Sequence, residues 1–408
     1  MEYIELINKA ELMLKNKFKE VDNIALYNFS KIMKAFQNNK VSLRHFSGTT
    51  GYGYDDIARD VLSKIYAEVF NAEDAIVSPL ITSGTHAITL CLFGLLKSGD
   101  CLLSITGNPY DTLSNVISGD GIGSLKDYNI LFDKIFLKKD DFDYSKIAKK
   151  IQQKAYNVIF IGRSRGYEVR NALSIESISK VIKLIKELSP NSIILVDNCY
   201  GEFVKKIEPT DVGADVAVGS LIKNPGGGLA PTGGYIVGKA KLIEKIAYRM
   251  TAPGLGFEVG SYENSYRMFY QGLFLSPTTV KNAVKGNLLF GKVFEILNYK
   301  TTPSTKYLPN DIIRSIEFND ENSLITFCRT IQKVSPVDSH VVPYPWDMPG
   351  YSSQVIMAAG AFVQGASIEL SCDSPIKKPY LAYIQGGLTY EHMKFALLNV
   401  LKDLNVKI

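Results

Sequence analysis

The chain has 408 residues, 46% apolar and 21% charged, and its 46 basic and 41 acidic side chains leave a formal charge of +5. This is the composition of a soluble globular protein; the length exceeds the roughly 100–200 residues of one domain, and no stretch approaches the roughly 20 apolar residues of a membrane span. The basic residues are dispersed apart from Lys134–Lys139 and the Lys149–Lys154 region, which argues against a nucleic-acid surface, and Met1 to Glu20 lack the apolar core of an export signal, so a cytoplasmic location is expected.

Residues 1–40 read as an amphipathic helix. A loop rich in Gly and Tyr follows, Ser47-Gly-Thr-Thr-Gly-Tyr-Gly-Tyr-Asp-Asp56, whose residue types favour turns and exposed backbone. From Asp56 helical periods alternate with short apolar runs at Ala75–Ser78, Cys101–Ile105, Val158–Ile161, Ile193–Val196, Val216–Val218 and Gly234–Val237. Such alternation predicts a mostly parallel sheet covered by helices on both faces. A long helical stretch is expected after Thr279; then Pro343, Pro345, Pro349 and Gly350 break the chain before further alternation at Ile356–Leu370. The organisation expected is an N-terminal arm and interface loop (1–55), a large domain (56–295) and a small α+β domain (296–408).

Five cysteines, Cys91, Cys101, Cys199, Cys328 and Cys372, show neither a CxxC pair nor zinc spacing, so they are expected to be reduced, mostly buried thiols, and no metal is expected. The strongest chemical signal is Ile193-Ile-Leu-Val-Asp-Asn-Cys-Tyr200. An Asp closing a buried apolar strand is strongly desolvated unless a cation or donor meets it, and ligands of open α/β sheets sit at such strand ends. Twenty-six residues later Val216-Ala-Val-Gly-Ser-Leu-Ile-Lys223 brings a lone lysine to the end of another apolar strand, where desolvation would make its amine nucleophilic at neutral pH. Together Asp197 and Lys223 are the two protein groups a pyridoxal cofactor needs: a Schiff-base amine, and a carboxylate that keeps the pyridine nitrogen protonated.

Three further segments fit that cofactor. Ile81-Thr-Ser-Gly-Thr-His-Ala-Ile88 reads as a turn opening a helix, and the N–H groups of Gly84 and Thr85 with the hydroxyls of Ser83 and Thr85 suit a phosphate. Ser220 offers another hydroxyl. Tyr110, just past the strand Cys101–Ile105, is placed to stack on a flat heteroaromatic ring. His86 and His340 read as structural.

The order Ser83-Gly-Thr, Tyr110, Val196-Asp-Asn-Cys-Tyr200 and Ser220-x-x-Lys223 resembles the pyridoxal 5′-phosphate (PLP) enzymes of Cys/Met metabolism. Thr49-Thr-Gly-Tyr-Gly-Tyr-Asp-Asp56, Gly107-x-Pro-Tyr-Asp-Thr-Leu113 and Ile384-Gln-Gly-Gly-Leu-Thr-Tyr390 look more closely like their bacterial aluminium-resistance, methionine γ-lyase-like branch. The resemblance implies the fold-type-I PLP-transferase fold, with a mostly parallel seven-stranded sheet in the large domain. It also implies a homodimer or homotetramer with shared active sites. Lys223 would be the Schiff-base lysine, Asp197 the pyridinium partner, Tyr110 the stacking ring, and Ser83, Gly84, Thr85 and Ser220 the phosphate cup. Tyr52 or Tyr54 would reach the phosphate of the neighbouring subunit.

The late arginine with which such lyases hold the substrate carboxylate has no plain counterpart, since Ser371–Tyr380 offers only Lys377 and Lys378. Arg165 falls where related lyases carry an Asn beside the cofactor's phenolic oxygen, and it is expected to lie by the cofactor and to grip the carboxylate. The activity expected is β- or γ-elimination of a thiol from a sulfur amino acid; the same residues would also serve an aminotransferase or aldolase, and a catalytically silent stress-resistance binding protein is the alternative outside enzymes.

Overall fold

The computed structural model describes residues 2–348 and 353–406; the predicted breakers Pro349 and Gly350 lie outside them. The amphipathic first helix is α1 (Glu2–Asn38), whose buried Leu6, Ala10, Leu14, Val21, Ile32 and Ala35 share one face. Asp56 ends the glycine-tyrosine loop by capping α2 (Ile57–Val69), its carboxylate accepting from the N–H groups of Ala58 and Arg59.

The chain then lays down β1 (Asp74–Ser78), α3 (Gly84–Leu95), β2 (Cys101–Ser104), α4 (Asp111–Ser118), β3 (Leu131–Lys134), α5 (Tyr144–Gln153) and β4 (Val158–Gly162). There follow α6 (Ile175–Leu188), β5 (Ile193–Asp197), β6 (Val216–Ser220), β7 (Gly234–Gly238) and α7 (Ala240–Met250). The seven strands form one sheet in the order β1-β7-β6-β5-β4-β2-β3, and only β7 runs against its neighbours. Successive residues bury on opposite faces. Val158 and Phe160 pack with Ile88 and Leu92 of α3, whereas Ile159 and Ile161 pack with Ile147 of α5 and Ile178 of α6. The six apolar runs are all strands. The seventh, β3, escaped the sequence reading because it is an edge strand whose four residues are all partly exposed, so no apolar run marks it.

Helix α8 (Arg267–Ile296) begins at Arg267 rather than after Thr279. Pro277 lies inside it and reads as a breaker in sequence, since it cannot donate to the Leu273 carbonyl four residues back. The Ser276 hydroxyl donates to that carbonyl instead, at 2.9 Å, so the helix continues. Beyond it β8 (Thr301–Thr302), β9 (Ile313–Phe318), α9 (Glu321–Lys333), β10 (Val355–Ala358), β11 (Ser371–Pro375), β12 (Tyr380–Gln385) and α10 (Tyr390–Asp403) build an antiparallel sheet, β10-β11-β12-β9-β8, with two helices. The alternation expected through Leu370 stops at Ala358. The Glu369 carboxylate accepts the N–H groups of Phe362 and Val363 and ties that stretch into a loop. Among the described residues no helix is long and apolar enough to cross a membrane.

Helix α8 fixes the loop that follows β6. A Cβ on Gly272 would lie 2.3 Å from the Gly226 carbonyl oxygen, so backbone meets backbone at this crossing, and the Thr279 hydroxyl donates to the Gly227 carbonyl at 3.3 Å. Gly272→Ala should therefore lower the unfolding free energy by about 1–3 kcal/mol, the usual effect of overpacking. Gly162→Ala, where the added Cβ would meet nothing nearer than Oγ1 of Thr106 at 3.5 Å, an ordinary contact, should cost less. Urea midpoints of the two variants check this, and equal losses would contradict it.

Candidate active site

Strands β1, β2, β4, β5 and β6 run in one direction, so their carboxyl ends open on one edge of the sheet. Ser83–Thr85 follow β1, Tyr110 follows β2, Arg165 follows β4, Asp197 closes β5, and Ser220–Lys223 close β6. Register makes Gly162 opposite Asp197 and Asp197 opposite Val218, which draws signals dispersed over some 140 residues of sequence into one cleft.

Lys223 stands at the head of a short 3-10 turn, Asn224–Gly226. Its Nζ lies 4.3 Å from the centroid of the Tyr200 ring and, among the described residues, makes no hydrogen bond or ion pair. Asp197 is 9% exposed, and its Oδ1 accepts the Cys199 N–H at 3.1 Å. Burial pushes the Lys223 amine down, but Cys199, Tyr200, Asp197 and Tyr110 together pull it further up. This corrects the expectation that desolvation alone would leave a neutral nucleophile. The sheet edge that buries Lys223 also surrounds it with ionisable groups, and their net direction on the amine is upward.

Ser83 caps α3, its hydroxyl accepting the His86 N–H at 3.1 Å. The Gly84 and Thr85 N–H groups that come first in the helix have no intrahelical partner. They lie against the ends of β5 and β6: a Cβ on Gly84 would stand 3.4 Å from the Cys199 sulfur and 3.6 Å from Cβ of Ser220. The Tyr110 hydroxyl meets Oγ1 of Thr85 at 3.0 Å, which ties the ring to the same helix end. Burial and Asp197 push the Tyr110 phenol up, while the Thr85 bond and Lys223 act against them, so all four groups share one electrostatic environment.

Tyr52 and Tyr54 are 72% and 58% exposed, with ring centroids 5.6 Å apart. Their loop is pinned at the Gly260 N–H, which donates to the Tyr52 carbonyl, and at the Ser261 hydroxyl, which donates to the Gly51 carbonyl. They point into solvent rather than join Lys223. Arg165 is 2% exposed and sits in a seam between the loop after β4 and the antiparallel sheet. Its Nη1 donates to the Arg170 carbonyl at 3.0 Å, its guanidinium lies 5.7 Å from the Tyr383 centroid, and its Nε and Nη2 have no acceptor among the described residues. Lys377 and Lys378 are exposed on the β11–β12 turn.

Sequence reading named no role for Tyr200, Glu202 or Tyr383. Tyr200 and Glu202 follow the Asp197 motif directly, a signal that was present and unused. Tyr383 arrives from the far end of the chain and carries no spacing signal.

The profile of the family described as methionine gamma-lyase matches residues 3–405. The chain is 50% identical over 393 residues to the uncharacterized protein YnbB of Bacillus subtilis, covering 95% of this chain and 93% of that one. It is similar to a carbon-sulfur lyase involved in aluminum resistance from Clostridium novyi, with 45% identity, 98% of this chain and 95% of that chain covered, and a TM-score of 0.94. The pyridoxal-5′-phosphate-dependent protein YhfS of Escherichia coli shares the fold at 15% identity over 96% and 97% of the two chains, with a TM-score of 0.64. The fold is thus that of the fold-type-I PLP-dependent enzymes.

Behind the cleft the fully buried Glu202 accepts the Tyr235 hydroxyl at 2.9 Å, and its Oε2 has no partner among the described residues. Burial, helped by Glu208, holds this carboxyl up at about 8, against the Tyr235 bond and Lys223. The folded state therefore keeps a proton that the unfolded chain releases near pH 4.5, so the contribution to stability is whole below about 4.5 and is lost as pH rises to about 8. Glu202→Gln should remove that loss: relative to wild type, the variant should gain a few kcal/mol between pH 5 and 8, at about 1.4 kcal/mol for each pH unit crossed. Urea unfolding at both pH values measures the difference, and parallel stability profiles would show that Glu202 is not the group responsible.

Proposed function

Because the chain belongs to the methionine gamma-lyase family, we propose that it is a PLP-dependent carbon–sulfur lyase that acts on a sulfur amino acid and releases a thiol, a 2-oxo acid and ammonia. The observation that carries this reading is the gathering of Lys223, Asp197, Tyr110 and the first turn of α3 at one sheet edge. The residues fit the cofactor: a partly buried amine with no hydrogen-bond partner among the described residues, a carboxylate close enough to act on it, and a helix N-terminus facing Ser220.

When bound, PLP supplies an electron-accepting ring for the electron pair of the broken Cα–H bond. Lys223 would hold the cofactor and would take the Cα proton on Nζ. Asp197 would hold the proton of the ring nitrogen by a charge-assisted contact. Gly84, Thr85, Ser83 and Ser220 would bind the phosphate, and Tyr110 would supply a stacking ring. Arg165 would serve the substrate carboxylate with its guanidinium. Tyr52 and Tyr54 of one subunit serve the phosphate of the next in a homo-oligomer, which accounts for their exposure in the single chain.

Borohydride treatment of the yellow holoenzyme should fix the cofactor on the Lys223 peptide, and incubation with cystathionine or methionine should release thiol and 2-oxo acid together. A label on another lysine, or 2-oxo acid without thiol as an aminotransferase would give, defeats the reading. Asp197→Ala should retain cofactor through the phosphate cup and lose most turnover. Arg165→Ala should raise KM about ten- to a hundredfold, the loss of one charge-assisted contact of roughly 1.5–3 kcal/mol. Lys377→Ala should change KM little; the reverse ranking would place the carboxylate at the β11–β12 turn.

A further inference from the structure

The roles assigned so far leave unused the side chain on which Lys223 rests. Tyr200 has a φ of 71°, in the left-handed region where a bulky residue is an outlier. Such a conformation persists only where its surroundings impose it. Here the turn after β5 imposes it: the Asn198 N–H donates to the Val218 carbonyl, the Gly201 N–H to the Asn198 carbonyl, and the Cys199 N–H to Asp197. The outcome is a ring packed on Ile313, Leu381 and Tyr383 on one side, with Nζ of Lys223 4.3 Å from its centroid.

We propose that Tyr200 is a positioning residue that seats the Lys223 ammonium on its ring face. The seat matters whenever Lys223 is not bonded to the cofactor. In that interval the amine gains a proton and becomes a buried cation, which is costly without a counter-group. A carboxylate in this place would stabilise the cation through a hydrogen bond and compete for its proton. A ring face stabilises the charge through its quadrupole and accepts no proton, so the amine stays aimed and able to give the proton back. The functional meaning rests on Lys223 being the cofactor's anchor; the seat itself does not.

Lys223 is also faced by Asp197 and Cys199 from the end of β5, by Tyr110 from the head of α4, and by Glu202 beyond Tyr200. Its titration reads them all, so the ring is isolated by comparing variants. In the full-length, cofactor-stripped protein, trace acetylation of the Lys223 peptide is followed against pH. Tyr200→Phe should keep the wild-type midpoint, and Tyr200→Leu should lower it by about one pH unit, a tenfold gain in acidity. An unchanged midpoint in Tyr200→Leu overturns the proposal, and so does an equal fall in Tyr200→Phe, which would assign the effect to the hydroxyl. Should Tyr200→Leu fail to fold, the wild-type protein decides: ε-methylene protons over a ring face are shifted upfield in the NMR spectrum, with Lys223→Arg identifying the signal, and an ordinary shift overturns the seat. A borohydride label on another lysine defeats the anchor reading alone and leaves both measurements valid.

Discussion

Parallel pairing among β2, β4, β5 and β6 is the constraint from which the site follows. A parallel strand must be re-entered from its far end, so the chain crosses back through α6 between β4 and β5 and through a loop with the short 3-10 turn Pro209–Val212 between β5 and β6, and each of these strands delivers its last residue to the same edge. Asp197 and Lys223 therefore meet by hydrogen-bond register rather than by attraction between their side chains. The same pairing buries both faces of each strand, which is why the runs are continuously apolar and why the polar residues that end them are conspicuous. Glycine contacts between α8 and the loop after β6 then hold the lysine turn against the sheet, so the position of one amine depends on a backbone crossing far from it in sequence.

The electrostatics follow from that edge. A buried carboxylate and a partly buried amine would each be poorly placed alone, and each makes the other tolerable. The cluster is wider than one pair: Tyr110 and Cys199 feel Asp197 and Lys223, and Glu202 lies behind them. A ligand that supplies its own charges enters a site already arranged around opposite signs, with little reorganisation left to do.

How far the chain could be read from sequence follows from which signals are local. The six apolar runs and the turn at Ser83 that opens a helix are local, and the structure has strands and a helix start at those places. The start of α8 was hidden because Pro277 is a breaker by sequence rule, and only the Ser276 hydroxyl on the Leu273 carbonyl shows how the helix survives it. Strand β3 was hidden because an edge strand need not be apolar. Desolvation of Lys223 was legible, but the sum of opposing charges around it was not, since it depends on Tyr110 and Tyr200 arriving from two other elements.

The seam behind the cleft shows why the antiparallel sheet belongs to the site. Asn310 donates to the Ala172 carbonyl, and the Tyr383 hydroxyl to the Tyr167 carbonyl, at 3.0 and 2.6 Å, which docks the sheet on the loop after β4. Arg163, Arg165 and Arg314 are all buried, each with two side-chain nitrogens that have no acceptor among the described residues; Asp311 is the acid that bears most on Arg165, and Glu295, ahead of Asp311, the one that bears most on Arg314. Burial drags Arg314 down to about 10, still far above neutrality, so the guanidinium keeps its charge. Three buried cations with incomplete hydrogen bonding are a poor arrangement for stability alone. Carboxylates answer them, Glu208 at 3.7 Å from Arg163, Asp311 acting on Arg165, and Glu295 and Asp311 acting on Arg314, so the three charges belong to a network rather than to a bare positive patch. The antiparallel sheet, by closing water out of the seam, makes each of those pairings stronger than it would be in water.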